Sequence, residues 1–133
     1  MRIDRAGTAI EDMVVLPGVV DALERFRDAG VAQGTLSNPG PVPTAAVDAA
    51  LDECGLAPFL DPRLRVWGRK DSAAIFHRAM DAAGTVTRAA RSRMVFVGED
   101  ATERSVARSA GLRVSPSPGL AVRALLAPDR RGC

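Results

Sequence analysis

Four short segments of the chain carry side chains that could do chemistry together. Asp4-Arg5-Ala6-Gly7-Thr8 offers a carboxylate, Ser37-Asn38 a hydroxyl, Arg69-Lys70-Asp71 an ammonium ion, and Gly98-Glu99-Asp100-Ala101-Thr102-Glu103 a run of carboxylates. A carboxylate can serve as nucleophile and others can hold a divalent cation, while a hydroxyl with a lysine neutralises phosphoryl oxygens. These are the groups a magnesium-dependent phosphoryl transfer calls for. Lys70 is conspicuous because it is the single lysine among eighteen basic side chains, the others being arginine. Against that bias, a lone lysine suggests that a compact point charge is needed there in place of a planar fork.

The elements between these segments must bring them together. Apolar Val19, Val20, Leu23 and Phe26 recur at helical spacing from Pro17 to Ala29, with Gly30 as a stop. Val31–Leu36 reads as a buried strand ending in the turn Ser37-Asn38-Pro39-Gly40. Further helices are expected over Thr44–Cys54, from Asp71-Ser72 to a stop at Gly84, over Ala101–Ala110, and over Leu120–Leu126. Strands are expected at Leu64–Trp67, Met94–Val97 and Leu112–Val114. Helices alternating with strands imply βαβ units and a mostly parallel sheet covered on both faces. In such a sheet the chemistry sits in loops at the carboxyl ends of the strands, where all four segments fall.

The order of the segments resembles a known family. DRAGTAIED resembles the DxDGT signature of the haloacid-dehalogenase-type (HAD) phosphatases, especially its form in histidinol-phosphate and heptose-bisphosphate phosphatases. LPGVVDALERFRDAG is similar to the stretch that leads into the family's second motif, so Ser37 in LSN matches the phosphate-binding hydroxyl. FLDPRLRVWGRKDSAAIFHRAMDAAG resembles the lysine motif with its following helix, on Lys70. FVGEDATERSVARSAGL is similar to VGDxxxDxxxAxxAG, which puts Glu99 and Glu103 on the two metal-binding positions. The resemblance covers residues 4 to 126. It implies a three-layer Rossmann-like α/β domain, a mostly parallel sheet and hydrolysis through an aspartyl-phosphate. Asp4 would be the nucleophile, Ser37 and Lys70 would take catalytic and substrate-binding roles, and Asn38 would help bind substrate. Mg²⁺ would be held by Asp4, the Ala6 carbonyl, Glu99 and Glu103, with Asp100 as a substitute ligand. The partner implied is a phosphorylated substrate.

The departures are equally specific. The family's general acid/base aspartate is Ala6 here, and losing such a group typically costs about 10² to 10⁴ in rate. Both metal-binding aspartates are glutamates, one methylene longer in a geometry that tolerates little displacement. Only Met1, Arg2 and Ile3 precede Asp4, where the family has a full apolar strand. The intervals of 28 residues between Thr8 and Ser37, and 32 between Ser37 and Lys70, are filled by ordinary elements, leaving no room for a cap. An open site suits a bulky substrate, or a lid lent by another subunit or a partner protein. The competing expectation is a catalytically silent HAD-fold domain that binds a phosphorylated ligand or a protein.

Each residue also has a plainer reading. Ser37 and Asn38 belong to a strong turn signal. Asp100 and Glu103 stand at the spacing of a capping box. His77, the one histidine, falls mid-helix, and Cys54 with Cys133 are too few for a zinc site or a disulfide framework. At 133 residues and a formal charge of +2, the expectation is one domain over residues 1–127 with a tail at 128–133. Scattered arginines and few aromatics argue against nucleic acid. The amino end has no apolar signal-peptide core, and no apolar run is long enough for a membrane span, so a cytoplasmic protein is expected.

Overall fold

The computed structural model describes residues 2–6 and 9–126, with side chains from residue 15 to 126. In chain order the elements are β1 (Arg2–Ala6), β2 (Ala9–Val14), α1 (Val19–Asp28), β3 (Thr35–Ser37), α2 (Thr44–Glu53), β4 (Arg65–Trp67), α3 (Ala73–Thr87), β5 (Val95–Val97), α4 (Ala101–Ser109), β6 (Arg113–Ser115) and α5 (Pro118–Leu126). The α/β class expected from the periodicity is therefore found. The strands form three two-stranded pieces: β3 with β4 and β5 with β6 are parallel, while β1 with β2 is antiparallel. A single mostly parallel sheet is not present among the described residues.

What unites the two parallel pieces is one apolar cluster. Ile75, Phe76 and Met80 of α3 recur at helical spacing and are buried with Ala107 of α4 and Leu112. Leu36 and Val66 from one pair, and Phe96 and Val114 from the other, pack against that cluster. Side chains alternate along a strand, so Ser37 and Trp67 turn to the opposite face. Trp67 duly packs on a second cluster made by Val42, Val47, Leu51, Leu56 and Leu60. The ring of Phe76 is fully buried and meets Phe96 edge to face at 5.0 Å and 73°. Ala22 and Phe26 of α1 close a third cluster with Ala121 and Val122 of α5.

Close backbone approach fixes the β3–β4 pair. A Cβ on Gly34 would lie 2.3 Å from the carbonyl oxygen of Leu64, so only glycine lets the two segments meet. Alongside, the Asp61 amide donates to the Gln33 carbonyl at 2.8 Å.

Several expectations need correction. Asp4 and Ala6, expected in a loop after a parallel strand, lie within β1, with Asp4 in register with Asp12. The pairing shifts between Asp4 and Arg5, a local irregularity that no sequence signal announces. Val31 to Gly34 are not strand, and Val31 is exposed, so the apolar run there is not a buried one. Gly84 does not end α3. The helix continues to Thr87, where Thr85 and Thr87 hydroxyls donate to carbonyls four residues back and Arg88 closes it at φ +59°. The tail at 128–133, with Cys133, lies outside the described residues.

Candidate functional site

The turn after β4 delivers Lys70. Pairing continues one residue past the strand, the Gly68 amide donating to the Ser37 carbonyl at 2.9 Å. Gly68 then takes φ +151°, and a Cβ there would meet Nη2 of Arg78 at 2.9 Å and Cδ1 of Ile75 at 3.1 Å. Arg78 uses that nitrogen to donate to the Trp67 carbonyl at 2.8 Å, so α3 pins the turn from below. Arg69 and Asp71 pair with each other at 3.0 Å in solvent. Ser72 is the N-cap of α3 but makes no capping hydrogen bond, so the cap expected there is not formed.

Lys70 returns from this turn to β3. Its ammonium donates to the Leu36 carbonyl at 3.2 Å across 34 residues of sequence. Carbonyls alternate in direction along a parallel strand. Ser37's carbonyl points to β4, so Leu36's points away from it, to the free edge of the pair, and Lys70 sits on that edge. The same ammonium lies 3.6 Å from a carboxylate oxygen of Glu103, with the two side chains only 20% and 31% exposed. One cation thus ties the Leu36–Ser37 peptide to the first turn of α4.

The loop after β5 is fixed by two bonds. Asp100 accepts from the Glu103 amide at 2.9 Å, the N-cap bond the spacing predicts. Arg104 donates to the Gly98 carbonyl at 2.8 Å. The reciprocal half of a capping box would send Glu103 back to the Asp100 amide; here Glu103 reaches to Lys70 instead, where a full charge outbids a peptide N–H. Glu99 and Asp100 are exposed.

The predicted site residues are therefore only partly assembled. The backbone before Ser37, Lys70 and Glu103 converge. Asn38 is a turn former, its side-chain oxygen accepting from the Gly40 amide at 3.1 Å. Asp4 lies in β1, and its side chain is outside the described set. Among the described residues no three of His, Cys, Asp and Glu group closely enough to hold a metal ion. Asp100 accepts at the cap through Oδ1 and Glu103 faces Lys70 through Oε2, so one oxygen of each carboxylate is engaged within the protein. His77 is exposed, 3.5 Å from Arg91, and Cys54 is half-buried against the second cluster.

Sequence reasoning missed two features. The partnership of Lys70 with Glu103 joins distant segments and has no local signature. An open cleft of about 460 Å³ lies at the other end of β3, lined by Arg27, Val31, Gln33, Phe59, Asp61 and Arg63. Arg27 lies 5.0 Å over the Phe59 ring, and Arg63 grips Asp61 at 2.8 and 3.1 Å. Those bonds hold the Asp61 carboxyl below its ordinary range.

No helix among the described residues is long and apolar enough to cross a membrane. Comparison with protein-family models, curated proteins and solved structures finds no match.

Proposed function

We propose that the chain handles a phosphoryl group at the corner where Lys70 meets the Leu36–Ser37 peptide, as a degenerate, capless HAD-like phosphohydrolase. The observation that carries this reading is the position of the Lys70 ammonium, 3.2 Å from the Leu36 carbonyl and directly beside the segment that bears Ser37. An ammonium ion and a hydroxyl at adjacent strand ends are the pair needed to neutralise phosphoryl oxygens. In this reading Asp4 is the nucleophile and Mg²⁺ the cofactor, both taken from the motif resemblance. A three-layer Rossmann-like core belongs to the same proposal. It would need a further strand between β3 and β5, along the edge that the Leu36 carbonyl faces.

One observation favours a second reading, a silent domain that binds a phosphorylated ligand. Asp4 sits within a paired strand, opposite Asp12, and not at a strand's carboxyl end. The two readings share the phosphoryl corner and differ in turnover. An aryl phosphate with a good leaving group, in magnesium, should be hydrolysed by the native chain and not by Asp4→Asn. Equal rates for the two proteins would remove the phosphohydrolase reading; phosphate binding without turnover would establish the silent one.

A further inference from the structure

We infer that Glu103 is the counter-ion that holds Lys70 in readiness, not a metal ligand, and that it sets how tightly this corner binds an anion. The inference rests on the phosphoryl-site reading above and adds the control of that site. Three observations carry it. Glu103 Oε2 stands 3.6 Å from Lys70 Nζ, and both side chains are largely shielded from solvent. The neighbouring carboxylate of Asp100 accepts from the Glu103 amide through Oδ1, which commits that oxygen to the helix cap while Glu103 itself turns to Lys70. Among the described residues no third metal-ligating side chain stands near.

The physical consequence follows from the hydrogen bonds available. An ammonium ion has three donors; one goes to the Leu36 carbonyl and another faces Glu103, leaving one for an incoming oxygen. A phosphate that takes this donor comes within a few ångströms of the Glu103 carboxylate. Like charges at about 5 Å in a half-shielded setting repel appreciably. Glu103 therefore orders Lys70 and at the same time weakens the anion's hold. A metal ligand would have the opposite effect, because removing it would weaken a metal-bridged anion.

The test is titration of inorganic phosphate at constant ionic strength, without magnesium and then with it. Binding is read by calorimetry and by the amide resonances of residues 68–72 and 98–104. Glu103→Gln keeps the shape and the helix preference while deleting the charge, and it should bind phosphate about tenfold more tightly than the native chain, equal to about 1.4 kcal/mol. Magnesium should change phosphate affinity by the same factor in both proteins, since Glu103 does not hold the metal. Glu103→Asp restores the charge and should return affinity towards the native value, which a merely structural role would not do. Lys70→Met should lose binding in all conditions. Unchanged or weaker phosphate binding by Glu103→Gln, with Lys70→Met still abolishing it, would overturn the counter-ion role and leave the phosphoryl corner standing. Phosphate binding by none of the proteins would overturn both.

Discussion

Replacing Gly68 by alanine tests how the Lys70 turn is built. The residue sits at φ +151°, where a side chain is strained, and strain of this kind costs about 1–3 kcal/mol. The new methyl would lie 2.9 Å from the Arg78 nitrogen that donates to the Trp67 carbonyl, and 3.1 Å from Ile75. Arg78 is a long, solvent-facing side chain and can swing aside, at the expense of that hydrogen bond, worth about 0.5–1.5 kcal/mol. Together these predict a loss of about 1.5–4.5 kcal/mol in urea unfolding. A double-mutant cycle separates the two parts. With Arg78→Ala already in place the hydrogen bond is gone, so Gly68→Ala should cost less than it does alone, by about the hydrogen-bond share. An effect below about 0.5 kcal/mol would refute the idea that this turn requires glycine. Strict additivity in the cycle would refute the part given to Arg78.

Two further outcomes follow from groups outside the corner. Asp100→Ala removes the N-cap bond of α4 and should cost about 0.5–2 kcal/mol in the same assay, against little change for Glu99→Ala in solvent. Arg63 lowers the Asp61 carboxyl pKa chiefly through its side-chain hydrogen bond, so Arg63→Ala should raise that pKa towards its ordinary value in an NMR titration. The sign for stability is that of a depressed acid: the contribution is present above the unfolded-state pKa and fades as pH falls through the lowered folded value. Arg63→Ala should shrink that acid-side loss.

The helices were legible because their apolar residues repeat at the helical period and most end at glycine. Gly30, Gly55 and Gly111, at φ +76°, +75° and +100°, stand just past α1, α2 and α4. Gly84 misled because an arginine four residues later supplies the left-handed closure in its place. The strands were less legible. Three-residue ladders carry too little alternation to fix their limits, and Val31 is apolar yet exposed. The antiparallel pairing of Asp4 with Asp12 depends on backbone bonds between segments that show no alternating pattern. Within the site, Lys70 could be picked out by rarity and Asp100 by its capping spacing. The reach of Lys70 to Glu103 could not, because it is set by how β3, β4 and α4 pack.

The apolar cluster around Phe76 has a consequence for how the chain reaches its native state. It gathers Leu36, Val66, Phe96 and Val114, residues drawn from nearly eighty positions of sequence. Neither strand pair has a complete floor until both halves of the polypeptide have arrived. Contacts of such long range close slowly, since the entropy of the intervening loops is lost before the contacts reward it. A fragment ending before Val95 would lack Phe96, Ala107, Leu112 and Val114 and leave that side of the cluster open to water, so the fold should appear late in synthesis and as one cooperative event.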